Sequence, residues 1–209
     1  AAVLQAGAAS LGIPLYQHIG GVNAVVLPVP GVLTVIGSWR YGHGQGSGGK
    51  PSYSLLCYGF DSFSDASYAA WTVYGRFLAL LSEKLGMDTM PGAGNISGLV
   101  QPGHVKHDRE LWDIMAESII DAGYEGQIGI QVDVAAGTYY DKESERFVGL
   151  FSAEPKTRED LFRLYEDAVK KYPFVVIEDP VDEDDYEGHA ICTRELGIEI
   201  VGDDLFTTN

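Results

Sequence analysis

The chain predicts an α/β fold built on a largely parallel sheet, the first part of a barrel. Three observations carry that prediction. From residue 128 onward the pattern alternates strand, helix, strand, helix, strand, with short connections. The strand at 174–177 is an apolar run without alternation and the strand at 198–201 is apolar apart from Glu199, as expected where both faces of a sheet are covered. An acid closes each of three successive strands, at Asp133, Glu178 and Asp203, the end where α/β barrels build their sites.

The elements follow in order. Residues 1–20 are Ala-rich and apolar and stop at Gly20-Gly21, so they read as the end of a helix leading into the barrel, with 21–209 as the first part of the barrel domain. Residues 27–36 form a β-branched run containing Pro28 and Pro30, which suits an edge strand or the strand that leads into the sheet. Glycines at 37, 42, 44, 46, 48 and 49 make the next stretch a loop, and 52–60 reads as a second strand. Residues 62–85 are helical, capped by Ser62 or Ser64, and 87–107 form a second loop rich in Gly and Pro. A helix over 108–124 aligns Leu111, Met115, Ile119 and Ala122 on one face. Residues 128–140 form a strand. Thr157 and Asp160 open a helix whose inner stripe is Leu161, Tyr165, Ala168 and Val169. The strand at 174–177, a helix over 184–196 and the strand at 198–201 complete about five strands.

Composition narrows the function classes. The 209 residues carry 30 acidic and 14 basic side chains, a net charge of −16, with 45% hydrophobic and 11% aromatic residues. That apolar content supports a packed core rather than disorder. The acidity excludes a nucleic-acid partner, which needs Lys/Arg density, and disfavours anionic membranes. No 18-residue apolar span occurs, so no membrane insertion is expected. Cys57 and Cys192 make neither a disulfide framework nor a zinc motif. The expected setting is the cytoplasm.

Three carboxylates converging at strand ends repel one another unless a cation lies between them. An all-oxygen set selects a hard ion such as Mg²⁺ over zinc or copper. The competing reading is that acids end strands because they open loops and cap helices. Asp179, Asp182, Glu183, Asp184, Asp185 and Asp204 read differently, as a solvated face or a helix N-terminal turn.

Several stretches resemble enolase (phosphopyruvate hydratase): KYPFVVIEDPVDEDDYEGH at 171–189, IVGDDLFTTN at 200–209, IQVDVAAG at 130–137, LGIPLY at 11–16, GGVN at 20–23 and LPVP at 27–30. The resemblance spans nearly the whole chain. It implies a Mg²⁺-dependent lyase of the cytoplasm that interconverts 2-phosphoglycerate and phosphoenolpyruvate, a small phosphorylated carboxylate as substrate, and a homo-oligomer, dimer or larger, as the full-length protein. In that resemblance Asp133, Glu178 and Asp203 match the magnesium ligands.

The chain departs from the family pattern in three places. Where enolases carry an Asn-Gly-Gly-Ser-His loop and a Gln-Glu-Phe strand, this chain has 36–49 and then 52–58, with His43 standing in for the loop His and no Glu in the strand. The Gly-Asp-Glu-Gly-Gly motif is replaced, leaving no carboxylate between Asp88 and Asp108. The strands that would bring the base Lys and the phosphate-binding residues lie beyond Asn209, so a fragment of a longer protein is the expectation. Arg40, His43 and Lys50 are the candidate substrate-binding residues, His43 also the catalytic candidate. His104, Lys106 and His107 form a second basic cluster, and His18 and His189 look structural. The alternatives are a superfamily relative acting on another carboxylate, or a non-catalytic enolase-like scaffold.

Overall fold

A computed structural model describes residues 1–37, 51–87, 98–100 and 104–208. The five expected strands all form: β1 (Gly31–Gly37), β2 (Ser52–Leu56), β4 (Gly129–Asp133), β7 (Phe174–Glu178) and β8 (Glu199–Val201). A sixth, β3 (Gly98–Val100), arises inside the stretch expected as loop. Together they make one open sheet in the order β3-β1-β2-β4-β7-β8, not closed into a barrel. A small hairpin of β5 (Tyr140–Asp141) and β6 (Arg146–Phe147) stands apart from it.

The parallel expectation holds for β4, β7 and β8, and for β1 with β3, whereas β2 runs antiparallel to both β1 and β4. A parallel return from β1 to β2 would need a crossover element, usually a helix, and the Gly-rich residues between them favour none. Strand β2 accordingly shows the period-2 burial of such a strand, with Tyr53 and Leu55 fully buried. Strand β1 is interior rather than an edge, because β3 pairs with it. Pro28 and Pro30 precede its first residue, so neither removes a ladder donor, and the Pro30 carbonyl accepts from the Cys57 N–H.

Other expectations shift locally. The first 20 residues form two helices, α1 (Ala2–Leu11) and α2 (Leu15–Gly20), not one helix end. Gly12 takes the left-handed conformation at φ 68° and Pro14 caps the second helix, a pairing that stops one helix and starts another. His18 of α2 sits where a side chain on Gly7 of α1 would lie, which fits its structural reading. The strand expected over 128–140 is β4 alone, because Ala135 turns left-handed at φ 42° and a 3-10 turn follows at Ala136–Tyr139.

The helices are α3 (Phe63–Leu85), α4 (Arg109–Asp121), α5 (Arg158–Lys171) and α6 (Tyr186–Glu195). Ser62 caps α3 by accepting the Asp65 N–H, and Thr157 with Asp160 forms a reciprocal capping box on α5. Helix α3 buries Ala66, Ala69, Ala70, Val73, Phe77, Leu80 and Leu81, the stripe expected of a helix lying on a core. Between sheet and helices, Trp112 meets Phe151, Tyr172 and Phe174 edge-on, with centroids 5.3–5.7 Å apart. Among the described residues no helix is long and apolar enough to cross a membrane.

Candidate metal centre at the strand ends

The sheet register brings two of the three acids side by side. Asp133 ends β4 and pairs directly with Glu178, which ends β7, and Glu178 in turn pairs with Val201 of β8. Asp203 lies two residues beyond that strand end. All three carboxylates are half-buried. On the other side of β4, Ser52 of β2 is the partner of Asp133.

Backbone hydrogen bonds continue the ladder past the strands. The Val134 N–H donates to the Glu178 carbonyl at 3.0 Å, the Ala136 N–H to the Asp179 carbonyl at 3.1 Å, and the Asp179 N–H to the Val201 carbonyl at 2.9 Å. Two non-glycine residues in this lacing are left-handed, Ala135 at φ 42° and Asp179 at φ 44°. Such strain persists where surrounding structure fixes it, and it concentrates at functional sites.

Side chains add further restraints. The Gln131 Nε2 donates to Glu178 Oε2 at 3.2 Å. The Thr208 hydroxyl donates to Asp203 Oδ2 at 3.3 Å, and the Thr208 N–H donates to the Asp203 carbonyl at 2.9 Å. Asp179 is 2% exposed. Its Oδ2 accepts the N–H groups of Asp203 and Asp204 at 3.3 and 2.9 Å, and its Oδ1 accepts that of Leu205 at 3.4 Å.

Among the described residues, carboxylate oxygens thereby gather in two overlapping groups, each within 4.8 Å: Asp133 with Glu178 and Asp179, and Asp179 with Asp203 and Asp204. The sequence expectation of one trio becomes two groups that share Asp179. The donor set is oxygen throughout, which fits a hard divalent cation such as Mg²⁺ and not a thiolate- or imidazole-seeking metal.

The remaining expectations sort as follows. Arg40, His43 and Lys50 lie outside the described residues. The second basic cluster belongs to the start of α4: the His107 Nδ1 accepts the Arg109 N–H, and Glu110 accepts the N–H groups of Lys106 and His107. Burial lowers the His107 pKa, reinforced by Arg109. His104 Nδ1 lies 3.3 Å from the Leu85 carbonyl. The solvated-face reading holds for Glu183, Asp184 and Asp204, which are exposed. It fails for Asp179, because three backbone donors compensate its burial. The signal that could have separated Asp179 was its place: an acid directly after a strand and before Pro180, where αR is disfavoured and Asp tolerates positive φ.

The C-terminal TIM barrel domain of enolase matches residues 24–209. The chain is 36% identical over 209 residues to the enolase of Methanococcus vannielii, 38% over 210 residues to that of Methanocaldococcus jannaschii, and 36% over 212 residues to that of Pyrococcus furiosus. Each alignment takes in 100% of this chain and 47% of the relative. The chain thus spans about half the length of the curated relatives it matches.

Proposed function

The chain belongs to the enolase family, and on that premise we propose that Asp133, Glu178 and Asp203 hold a Mg²⁺ ion in a lyase that interconverts 2-phosphoglycerate and phosphoenolpyruvate. The observation that supports the reading is the direct register of Asp133 and Glu178 at the exits of adjacent parallel strands, with Asp203 two residues past the exit of the next strand. Bound there, the ion would supply positive charge to offset what develops when a proton leaves the carbon alpha to the substrate carboxylate.

The chain's own residues have defined parts in this reading. Asp133 and Glu178 present oxygens from neighbouring strands, and the Gln131 amide fixes one Glu178 oxygen. The Thr208 hydroxyl orients Asp203. Arg40 and Lys50 bind the anionic ends of a small phosphorylated carboxylate, and His43 serves as the loop imidazole at the reacting end. The full-length protein is cytoplasmic and homo-oligomeric in the same proposal.

A second reading is favoured by one observation. Strand β2 presents Ser52 beside Asp133 and carries no carboxylate, so a relative using another carboxylate substrate, or a scaffold without turnover, keeps the metal but lacks one acid.

Calorimetry with Mg²⁺ tests the first premise. The 209-residue chain is expected to bind the ion, and Glu178→Gln and Asp203→Ala to abolish that binding. A wild-type chain that takes up no Mg²⁺, or variants that bind like wild type, would refute the metal assignment. Turnover of 2-phosphoglycerate by the protein carrying this chain separates the lyase from the second reading.

A further inference from the structure

We infer that Asp179 is a positioning residue, not a ligand: it clamps the loop that carries Asp203 and so sets the distance between Asp203 and the Asp133/Glu178 pair. The inference rests on the proposed metal site and adds to it the residue that assembles the site.

Asp179 is tied to all three strand exits at once. Its carbonyl accepts from Ala136 after β4, its N–H donates to Val201 at the end of β8, and its carboxylate accepts from Asp203, Asp204 and Leu205. No neighbouring acid in the run combines these links. Asp185 accepts the Gly188 N–H and pairs with Arg158, and Asp182 accepts the Asp184 N–H.

The geometry separates a clamp from a ligand. A carboxylate has about four lone-pair sites, and backbone N–H groups take three of those on Asp179. It is also buried, whereas Asp133, Glu178 and Asp203 are only partly buried. Along an extended strand Asp179 would point to the opposite sheet face from Glu178. The left-handed turn at φ 44° breaks that alternation and aims its side chain at the 203–205 backbone. Asp203 therefore owes its position to a residue 24 places earlier in the chain, and the Thr208 contacts close the loop from its far side.

The test compares Mg²⁺ binding by calorimetry with amide hydrogen exchange at 203–205 in the metal-free 209-residue chain. Wild type, Asp179→Asn, Asp179→Ala and Glu178→Gln are measured, each with its thermal midpoint. Asn tolerates the left-handed conformation as Asp does but brings an amide NH₂ against donors. Asp179→Asn is expected to weaken Mg²⁺ about 10–100-fold, the range for groups that orient ligands, with faster exchange at 203–205. Asp179→Ala is expected to weaken it at least as much; if that variant unfolds, the Asn variant still decides.

Asp179→Asn that abolishes binding as fully as Glu178→Gln, with exchange at 203–205 unchanged, would make Asp179 a ligand and overturn the inference. Wild-type affinity in Asp179→Asn would overturn it equally. A loss of affinity in proportion to a lowered thermal midpoint, without selective exchange at 203–205, would reduce Asp179 to general stability and also overturn it. Both latter outcomes leave the metal site itself standing if Glu178→Gln still loses the ion. Absence of Mg²⁺ binding by the wild-type chain would remove the site and the inference together.

Discussion

Replacing Tyr53 by Phe removes one oxygen from the middle of the core and tests how the sheet is joined to its helices. The Tyr53 hydroxyl donates to Asp108 Oδ2 and accepts the Trp112 Nε1–H at 2.9 Å. Tyr53 and Asp108 are 0% exposed and Trp112 is 1% exposed, so water cannot replace what is lost without opening the packing. A bond to a charged acceptor contributes about 1.5–3 kcal/mol, and a buried donor left without an acceptor costs about 1–3 kcal/mol. The ring itself stays and leaves only a hydroxyl-sized void, so the cost is ~3 kcal/mol. For a chain of this length each kcal/mol moves the thermal midpoint by roughly 2–4 °C, so thermal unfolding followed by circular dichroism should show a drop of roughly 6–12 °C. Tyr53→Phe combined with Trp112→Phe should cost less than the sum of the two single changes, because both remove the same bond. A drop below about 2 °C in Tyr53→Phe, or strict additivity in the double variant, would refute this account of the β2–α4 junction.

Two further substitutions probe other contacts. Gly129 of β4 has no room for a methyl, since a Cβ there would lie 2.5 and 2.7 Å from the Val175 methyls; Gly129→Ala should cost about 1–3 kcal/mol by overpacking, and Val175→Ala in the same chain should recover part of the thermal midpoint. His189 is 4% exposed. Burial lowers its pKa from 6.5 against the upward pull of Asp179, Asp185 and the Asp182 backbone, so the unfolded chain takes up its proton first. The stability tied to the neutral ring is complete above the unfolded value and is lost as pH falls below it. His189→Leu should hold its midpoint at pH 7 within a few degrees, and lose less than wild type on acidification to pH 5; an equal loss would show that His189 is not the titrating group.

Much of this arrangement was legible in the sequence, and the gaps have physical causes. Strand β7 announces itself as a run of four apolar residues, Phe174 to Ile177, as expected where both faces are covered, whereas β4 and β8 are legible from their β-branched residues and their short spacing from the neighbouring helices, since Gln131 and Glu199 interrupt them. The α5 start was legible because a capping box is a local pattern. Strand β3 was not, since three residues inside a Gly- and Pro-rich stretch hold no period; its pairing with β1 is a tertiary fact. The direction of β2 was hidden for a similar reason, because strand polarity depends on the connection rather than on the strand residues. The break between α1 and α2 lies in Gly12 and Pro14, where the Ala-rich, helix-favouring composition on either side hides it.

The acids show where composition stops being informative. Strand ends located Asp133, Glu178 and Asp203, because the end of an apolar run is a sequence property. What distinguishes Asp179 from Asp182, Asp184 and Asp185 is the identity of each partner, and none of those partners is fixed by a charge run. Asp185 takes Gly188 and the guanidinium of Arg158, so its charge is met by a cation and a helix start. Asp179 takes three peptide N–H groups from a loop 24 to 26 residues away. Peptide dipoles can hold a buried carboxylate without bringing a cationic side chain next to Glu178 and Asp203. A Lys or Arg in the place of those N–H groups would compete with a divalent ion for the same oxygens. The Gln131 amide on Glu178 and the Thr208 hydroxyl on Asp203 are neutral donors of the same kind, which fix the direction of a carboxylate without themselves adding charge.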